Sequence, residues 1–369
     1  MSAVRVQVVD PSAFAPPYDH ALCVALAHAG ADVELLTSLF RYGPVPEGDN
    51  YTMRRDFYRR APGAPGSRAR TAAKLAQHVP DRLRHRRGAR RADVLHYQWL
   101  PVEALDAALL PRGVPKVLTA HEVLPRERRR LHAGGRRRLY ERVDAVVAHT
   151  EQARARLTGE LGLDPEKVEL IPHGSFDYLA HQPREEPLPP ELAAVEGPVV
   201  LNLGVWRPYH GIDVLLEAWR GIEGAELWVA GLPKMPTQEL MRAAPPGVRF
   251  LPRFITDPEL PAFFRRADLV VMPYRAIEAS GVFFSVLPFG RPILASDVGA
   301  FSDVAARGGA AVVPPEDPAA LHGAIARLLA DPGERERLGA RAAELAAGEY
   351  SWDAIGARTL ALYERLLGR

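Results

Sequence analysis

Short runs of β-branched and aliphatic residues recur along the chain, separated by longer stretches whose apolar positions follow a helical spacing. In the first half the runs are Val4–Val9, Val33–Thr37, Val94–Tyr97, Lys116–Ala120, Ala145–Ala148 and Val168–Ile171. In the second half they are Val199–Leu203, Glu226–Ala230, Val248–Leu251, Leu269–Met272, Ile293–Ala295 and Ala311–Val313. Amphipathic stretches such as Ala21–Ala29, Gln152–Leu161, Asp213–Trp219, Leu260–Arg266 and Ala319–Leu329 lie between them. Strands that are apolar throughout are buried on both faces, so the pattern predicts parallel sheets covered by helices on either side. The alternation breaks once, at 181–198 (HQPREEPLPPELAAVEGP), where five prolines and four acidic residues suit a linker. The expected organisation is an α/β protein of two doubly wound domains, 1–180 and 199–351, joined by that linker and followed by a helical run, Trp352–Leu367. Ligands of open α/β sheets bind beyond the carboxyl ends of the strands, which predicts a site in a cleft between the two domains.

Composition narrows the class. The 369 residues are 47 % apolar and 25 % charged, as in a soluble globular chain and unlike a disordered or fibrous one. No uninterrupted run approaches the roughly 18 apolar residues of a membrane-spanning helix. The chain enters a strand-like run at Val4 without a charged-then-apolar leader, so a cytoplasmic location is expected. Cys23 is the single cysteine, which excludes an intrachain disulfide and a cysteine zinc cage. The net charge is only +2, yet 13 Lys/Arg between Arg54 and Arg91 meet only Asp56 and Asp81. A second cluster holds Arg126, Arg128, Arg129, Arg130, Arg136, Arg137 and Arg138. Only four cations in the chain are lysines, a bias that points to a GC-rich genome. No nucleic-acid reader motif accompanies the arginines, and nucleic acid is not an expected partner.

Two stretches could carry chemistry. In 272–300 (MPYRAIEASGVFFSVLPFGRPILASDVGA) a strand ends at Met272–Pro273, and Ser280-Gly281-Val282 opens a helix whose first amides lack internal partners and suit a phosphate. A plain strand–helix–strand crossover is the alternative. In 201–219 (LNLGVWRPYHGIDVLLEAW) a strand runs into Gly204, a loop carries Arg207 and His210, and a helix starts with Asp213 as a plausible N-cap. Arg207 is either a solvated surface cation or, beside glycines at a strand's carboxyl end, a phosphate ligand. In the first half, His121 closes a strand in Leu118-Thr119-Ala120-His121-Glu122, either as a satisfied loop histidine or as a functional one. Tyr18, Asp19 and His20 occupy the first strand–helix loop, with helix capping by Asp19 as the alternative to ligand contact.

These stretches resemble the retaining family-4 glycosyltransferases of GT-B fold, whose two domains are Rossmann-like, and the resemblance covers essentially the whole chain. Gly204 through Asp213 resembles that family's glycine–loop–basic–glycine–x–aspartate element, and Glu226–Gly231 its next strand. Arg253-Phe254-Ile255 with 260–271 resembles the segment leading to the donor site, and Ile171-Pro172-His173-Gly174 the strand end before the interdomain linker. Tyr350-Ser351-Trp352 resembles the start of the last helix, implying that 352–369 packs back on the N-terminal domain.

The resemblance implies transfer of a sugar from a nucleoside-diphosphate sugar, UDP being the commonest, to a hydroxyl acceptor with retention and without a metal. It implies catalytic roles for His121, Glu278 and Arg207. It also implies donor contacts from Arg207, His210, Arg253, Phe254, Ser280, Gly281, Val282 and Ser285, and acceptor contacts from Tyr18, Asp19 and His20. Two positions depart from the family. The second glutamate of its donor-loop pair falls at Ser285 or Val286, as in a subgroup lacking that residue, and His210 stands where lysine is common. Because imidazole titrates near pH 6.5, donor binding is expected to weaken as pH rises through the His210 pKa. The acceptor is expected to be a small molecule, natural product or polysaccharide precursor. The alternatives are a lipid-linked acceptor reached by peripheral docking through 54–91, and an epimerase or hydrolase on the same fold.

Overall fold

The computed structural model describes residues 3–369 with the exception of 42–44, 46, 47, 49, 65 and 125–129. Arg126, Arg128 and Arg129 of the second basic cluster lie outside these residues. Among the described residues the strands form two wholly parallel sheets, one in each of two compact units: Met1–Pro172 with Trp352–Arg369, and His173–Ser351.

The N-terminal sheet contains β1 (Arg5–Asp10), β2 (Asp32–Ser38), β3 (Thr52–Phe57), β4 (Val94–Tyr97), β5 (Lys116–Thr119), β6 (Ala145–Ala148) and β7 (Val168–Leu170). Their order is β3-β2-β1-β4-β5-β6-β7, with β1 paired to β2 through Val6↔Val33 and to β4 through Val6↔Val94. The direction of winding reverses at β1 and β4, and the carboxyl ends of those two strands open a crevice there. The C-terminal sheet contains β8 (Val199–Leu203), β9 (Glu226–Ala230), β10 (Val248–Leu251), β11 (Leu269–Met272), β12 (Ile293–Ser296) and β13 (Ala311–Val313), ordered β10-β9-β8-β11-β12-β13. Its switch point lies at β8 and β11. Every residue of β4, β6, β8, β11 and β12 is buried, as strands covered on both faces require.

One expectation needs correction, and two further features carry no signal in the apolar pattern. The chain passes between units at Pro172/His173 and Ser351/Trp352, not within 181–198. The proline-rich segment is a strap on the C-terminal unit: Leu192 is buried in its core, Glu186 N donates to Pro258 O at 2.8 Å, and Gln182 Nε2 to Asp257 O at 2.8 Å. Prolines remove donors and fix φ, which suits an irregular packed strap as well as a linker. The first such feature is β3 (TMRRDF), an edge strand with an exposed polar face, so no apolar run marks it. The other is the arginine-rich segment, which forms a long helix, α2 (Arg68–Gly88), N-capped by Ser67. Its inner face is polar: Arg82 Nε lies 3.0 Å from Asp106 Oδ1, His78 Nε2 3.0 Å from the same oxygen, and Tyr58 N donates to Asp81 at 2.7 Å. Burial and the neighbouring Arg82 push His85 down to about 3, so it stays neutral inside this layer.

The terminal helix, Trp352–Leu366, belongs to the N-terminal unit and lies against α1 (Pro16–His28). Gly356 permits this approach, since a Cβ there would stand 2.6 Å from Ala25 O. Tyr363 hydroxyl reaches His96 Nδ1 at 2.5 Å, and Arg365 pairs with Glu169.

Candidate functional site

In the C-terminal unit the two stretches singled out in the sequence meet at the carboxyl ends of β8 and β11. A Cβ at Gly204 would lie 3.5 Å from Val282 Cγ2 and 3.6 Å from Tyr274 Oη. Gly211 has φ +67°, and a Cβ there would fall 1.9 Å from Pro273 O, so only glycine lets the loop after β8 pass so close to the loop after β11. Gly211, not Asp213, is the N-cap of the helix Ile212–Ala218. Asp213 instead forms a bidentate pair with Arg275, at 3.0 and 2.6 Å, which holds its carboxyl below the usual range. Arg275 also donates to Pro208 O and pairs with Glu316, bracing the loop that carries Arg207 and His210.

Arg207 is exposed on this braced loop and forms no ion pair among the described residues. His210 Nδ1 donates to Val205 O, and its ring stacks on Tyr274 at 4.2 Å. With Nδ1 committed, a hydrogen on Nε2 exists only in the imidazolium. Ser280 caps the helix Gly281–Val286, its Oγ accepting from Phe283 N at 3.4 Å, so the amides of Gly281 and Val282 lead the first turn. Glu278 is buried, and its carbonyl accepts from Ala300 N at 2.9 Å. Ser285 spends its hydroxyl proton on Gly281 O at 2.8 Å. Arg253 is clamped by Glu259 at 2.6 and 3.0 Å, and this pairing holds Glu259 down to about 2. The adjacent Phe254 ring is 58 % exposed.

In the N-terminal unit His121 follows β5 and sits in an aromatic and histidine cluster. Its ring stacks on Trp99 at 4.9 Å and 7°, and Tyr18 meets it edge-on at 4.8 Å. His149 Nδ1 donates to Ile171 O at 2.9 Å, and burial pushes His149 down to about 4, so the ring is neutral and its Nε2 is an acceptor. That Nε2 lies 3.4 Å from His121 Nδ1, which fixes the proton of His121 on Nδ1. His121 Nε2 stands 3.0 Å from Gln98 Oε1, while Gln98 Nε2 is buried without a partner. The present amide orientation suits an imidazolium, and a half-turn suits the neutral ring.

Tyr18, Asp19 and His20 lie inside the first turns of α1 and do not cap it. Tyr18 is buried against His121 and Trp352, and burial raises its hydroxyl well above the usual range. His20 Nδ1 pairs with Tyr51 hydroxyl at 2.9 Å, and burial lowers its pKa. Asp19 lines a cavity of about 330 Å³ with Thr37, Ser38, Leu39, Phe40 and Arg55. Its carboxyl is fully buried beside Asp10, whose oxygens accept Ser12 N at 3.0 Å and Phe14 N at 2.5 Å. Burial raises both carboxyls; the Ser12 and Phe14 amides oppose the rise of Asp10, whereas the charge of Asp10 adds to that of Asp19, which is raised well above the usual range and donates its proton to Asp10. Ala13, in the same loop, has φ +51°, a strained conformation that a well-packed site imposes. No motif in the sequence marks Gln98, His149, Thr37 or Ser38. Their signal is the one used for His121: polar residues at the carboxyl ends of otherwise apolar strands.

Known proteins match both halves of the chain. Residues 18–175 match the model for Glycosyltransferase Family 4, and 197–331 that for Glycosyl transferases group 1. A D-inositol 3-phosphate glycosyltransferase of Jonesia denitrificans is 29 % identical over 307 residues, covering 74 % of this chain and 72 % of that one. A GDP-mannose:glycolipid 4-beta-D-mannosyltransferase of Xanthomonas campestris is 28 % identical over 230 residues, covering 56 % and 61 %. Sucrose-phosphate synthase from Thermosynechococcus elongatus superposes with a TM-score of 0.77 over 99 % of both chains at 20 % identity. The fold is GT-B. Together the two matches, which lie in different halves of the chain, and the glycosyltransferase relatives support a glycosyltransferase.

Proposed function

We propose that the protein transfers a glycosyl unit from a nucleoside-diphosphate sugar to a hydroxyl of a small-molecule or glycan acceptor, with retention at the anomeric carbon. The observation that supports this reading is that the loop carrying Arg207, exposed and without an ion pair among the described residues, packs at Gly204 and Gly211 against Val282 of the helix Gly281–Val286 and Pro273 of the loop that leads into it. That arrangement opposes the charge that grows on a departing diphosphate. Side-chain cations and amides do this work in the reading, with no metal assigned. His210 adds a positive charge when protonated, Phe254 offers an exposed ring for the base, and Glu278 orients the sugar. Arg253 acts through the loop it braces with Glu259 rather than through a free guanidinium. Ser285, its proton spent on Gly281, offers the ribose an acceptor only. In this reading His121 acts on the donor sugar, and Tyr18 and His20 support it and the start of α1. Asp19 contacts the acceptor as a protonated carboxyl, so no protein base is assigned, and the leaving phosphate takes the acceptor proton.

UDP is the proposed nucleotide. The mannosyltransferase relative is named for GDP-mannose, which makes GDP-sugars the first comparison. A thermal-shift panel of UDP-, GDP- and dTDP-sugars should show stabilisation by one class, growing with ligand concentration. Arg207→Ala should abolish that shift. The affinity should also fall between about pH 5.5 and 8 as the imidazolium of His210 is lost. An undiminished shift in Arg207→Ala means that the diphosphate binds elsewhere.

A second reading, a membrane-associated acceptor, is favoured by one observation. Leu75, Val79 and Leu83 are exposed at 59, 36 and 38 %, four residues apart on α2, with Arg68, Arg84 and Arg87 exposed on the same helix. No helix among the described residues is long and apolar enough to cross a membrane.

A further inference from the structure

Three neighbouring strands of the N-terminal sheet, β4, β5 and β6, bring Gln98, His121 and His149 together. Gln98 directly follows β4, His149 directly follows β6, and His121 stands just beyond the end of β5. The parallel register, with Tyr97 opposite Leu118 and Thr119 opposite Val147, sets these three positions side by side. Gln98 meets His121 at Nε2 and His149 meets it at Nδ1, so the protein engages both nitrogens of the ring. Gln98 and His149 are themselves buried.

The two partners differ in what they allow. His149 gives its Nδ1 hydrogen to Ile171 O, and burial keeps the ring neutral, so its Nε2 offers only a lone pair. His121 therefore answers with a hydrogen on Nδ1 in either of its charge states. An amide is not so restricted, since it carries an acceptor and donors on one carbon. Gln98 Oε1 accepts from the imidazolium, and the same group turned over donates to the neutral ring. One end of the amide meets Nε2 and the other is left over, as Gln98 Nε2 is, buried without a partner. That orphan costs stability, which an apolar side chain of the same size would not. What glutamine adds is a group that serves the ring with and without its second proton.

Resting on the reading that His121 acts in glycosyl transfer, we propose that Gln98 and His149 are positioning residues that dictate where His121 carries its protons: on Nδ1 permanently, against His149, and on Nε2 exchangeably, against Gln98. The other groups around the ring that can carry charge are Glu122, next in the chain, and Tyr18 from α1, with Asp19 and Asp10 behind it. His96 lies beyond His149 and is neutral by burial. Trp99, from the end of β4, stacks on the ring face.

The test is a long-range proton–nitrogen NMR titration of the full chain with isotope-labelled histidine, His121 being assigned by the signal missing from His121→Gln. In the parent protein the neutral ring should carry its hydrogen on Nδ1, the less common tautomer in water. His149→Phe keeps a ring but no acceptor, and should move that hydrogen to Nε2, where Gln98 Oε1 accepts it. Gln98→Glu places a carboxylate opposite Nε2 and should raise the His121 midpoint by about one pH unit or more, a tenfold gain in proton affinity. Turnover of the donor selected by the nucleotide-sugar panel then separates the two readings. The pH profile of kcat should move in Gln98→Glu by the same interval as the NMR midpoint, with the donor KM little changed. A moved midpoint with an unmoved profile supports the positioning and overturns the role of His121 in transfer. An Nε2–H tautomer in the parent protein, or an unchanged His121 midpoint in folded Gln98→Glu, overturns the proposal itself.

Discussion

Asp19 keeps its proton because two carboxyl groups are buried side by side, and the amides of Ser12 and Phe14 favour the charge on Asp10 over Asp19. The consequence for stability has a definite sign. In the unfolded chain Asp19 ionises near pH 4, whereas in the folded protein it holds its proton well above that. Between those two values the folded state binds the extra proton, so stability is fully present below about pH 4 and is lost as pH rises. The loss is at most about 1.4 kcal/mol per pH unit. Asp19→Asn retains a donor toward Asp10 and cannot ionise. Chemical denaturation at pH 5 and pH 8 should therefore find the variant gaining on the parent at the higher pH. Parallel stability curves would show that Asp19 is ionised in the fold. The buried neutral histidines His85, His96 and His149 add an opposite dependence below about pH 6.5, and it cancels in the difference between the two proteins.

Among the elements, strands with two buried faces were legible from composition alone, since β4, β6, β8, β11 and β12 have no polar side to disguise them. The donor-side loops were legible for a different reason. Gly204 and Gly211 flank Arg207 and His210 in the sequence because Gly204 has φ +142° and a Cβ at Gly211 would fall 1.9 Å from Pro273 O. The edge strand β3 and the helix α2 were not legible, because an apolar-periodicity argument finds no core face where that face is Arg82, His78, Asp81 and His85. The outer face of α2 reverses the usual rule by exposing Leu75, Val79 and Leu83. If that face docks on a membrane, the protein should sediment with anionic vesicles at low salt. The triple change Leu75→Ser, Val79→Ser and Leu83→Ser should release it, and raising the salt should weaken binding through the arginines. Sedimentation that the triple variant leaves intact would remove α2 from consideration as the anchor.

For the whole molecule, the terminal helix matters because it completes a unit that the first 172 residues begin. It packs on α1, its Tyr363 reaches His96 beneath β4 and β5, and Trp352 covers Tyr18, which in turn meets His121 edge-on. The first residue of the terminal helix is thus one side chain from a proposed catalytic histidine. Gly356 is the point of closest approach, with no room for a Cβ against Ala25 O. Gly356→Val should force the helix outward and destabilise the N-terminal unit by about 1–3 kcal/mol, the usual cost of overpacking. Since the C-terminal unit has its own core, calorimetry should show one transition shifted downward while the nucleotide-sugar shift survives. Turnover should fall with that transition as Tyr18 and His121 lose their backing. A variant with parental melting and reduced turnover would instead place Gly356 in the reaction, and one with parental values of both would show that the helix tolerates displacement from α1.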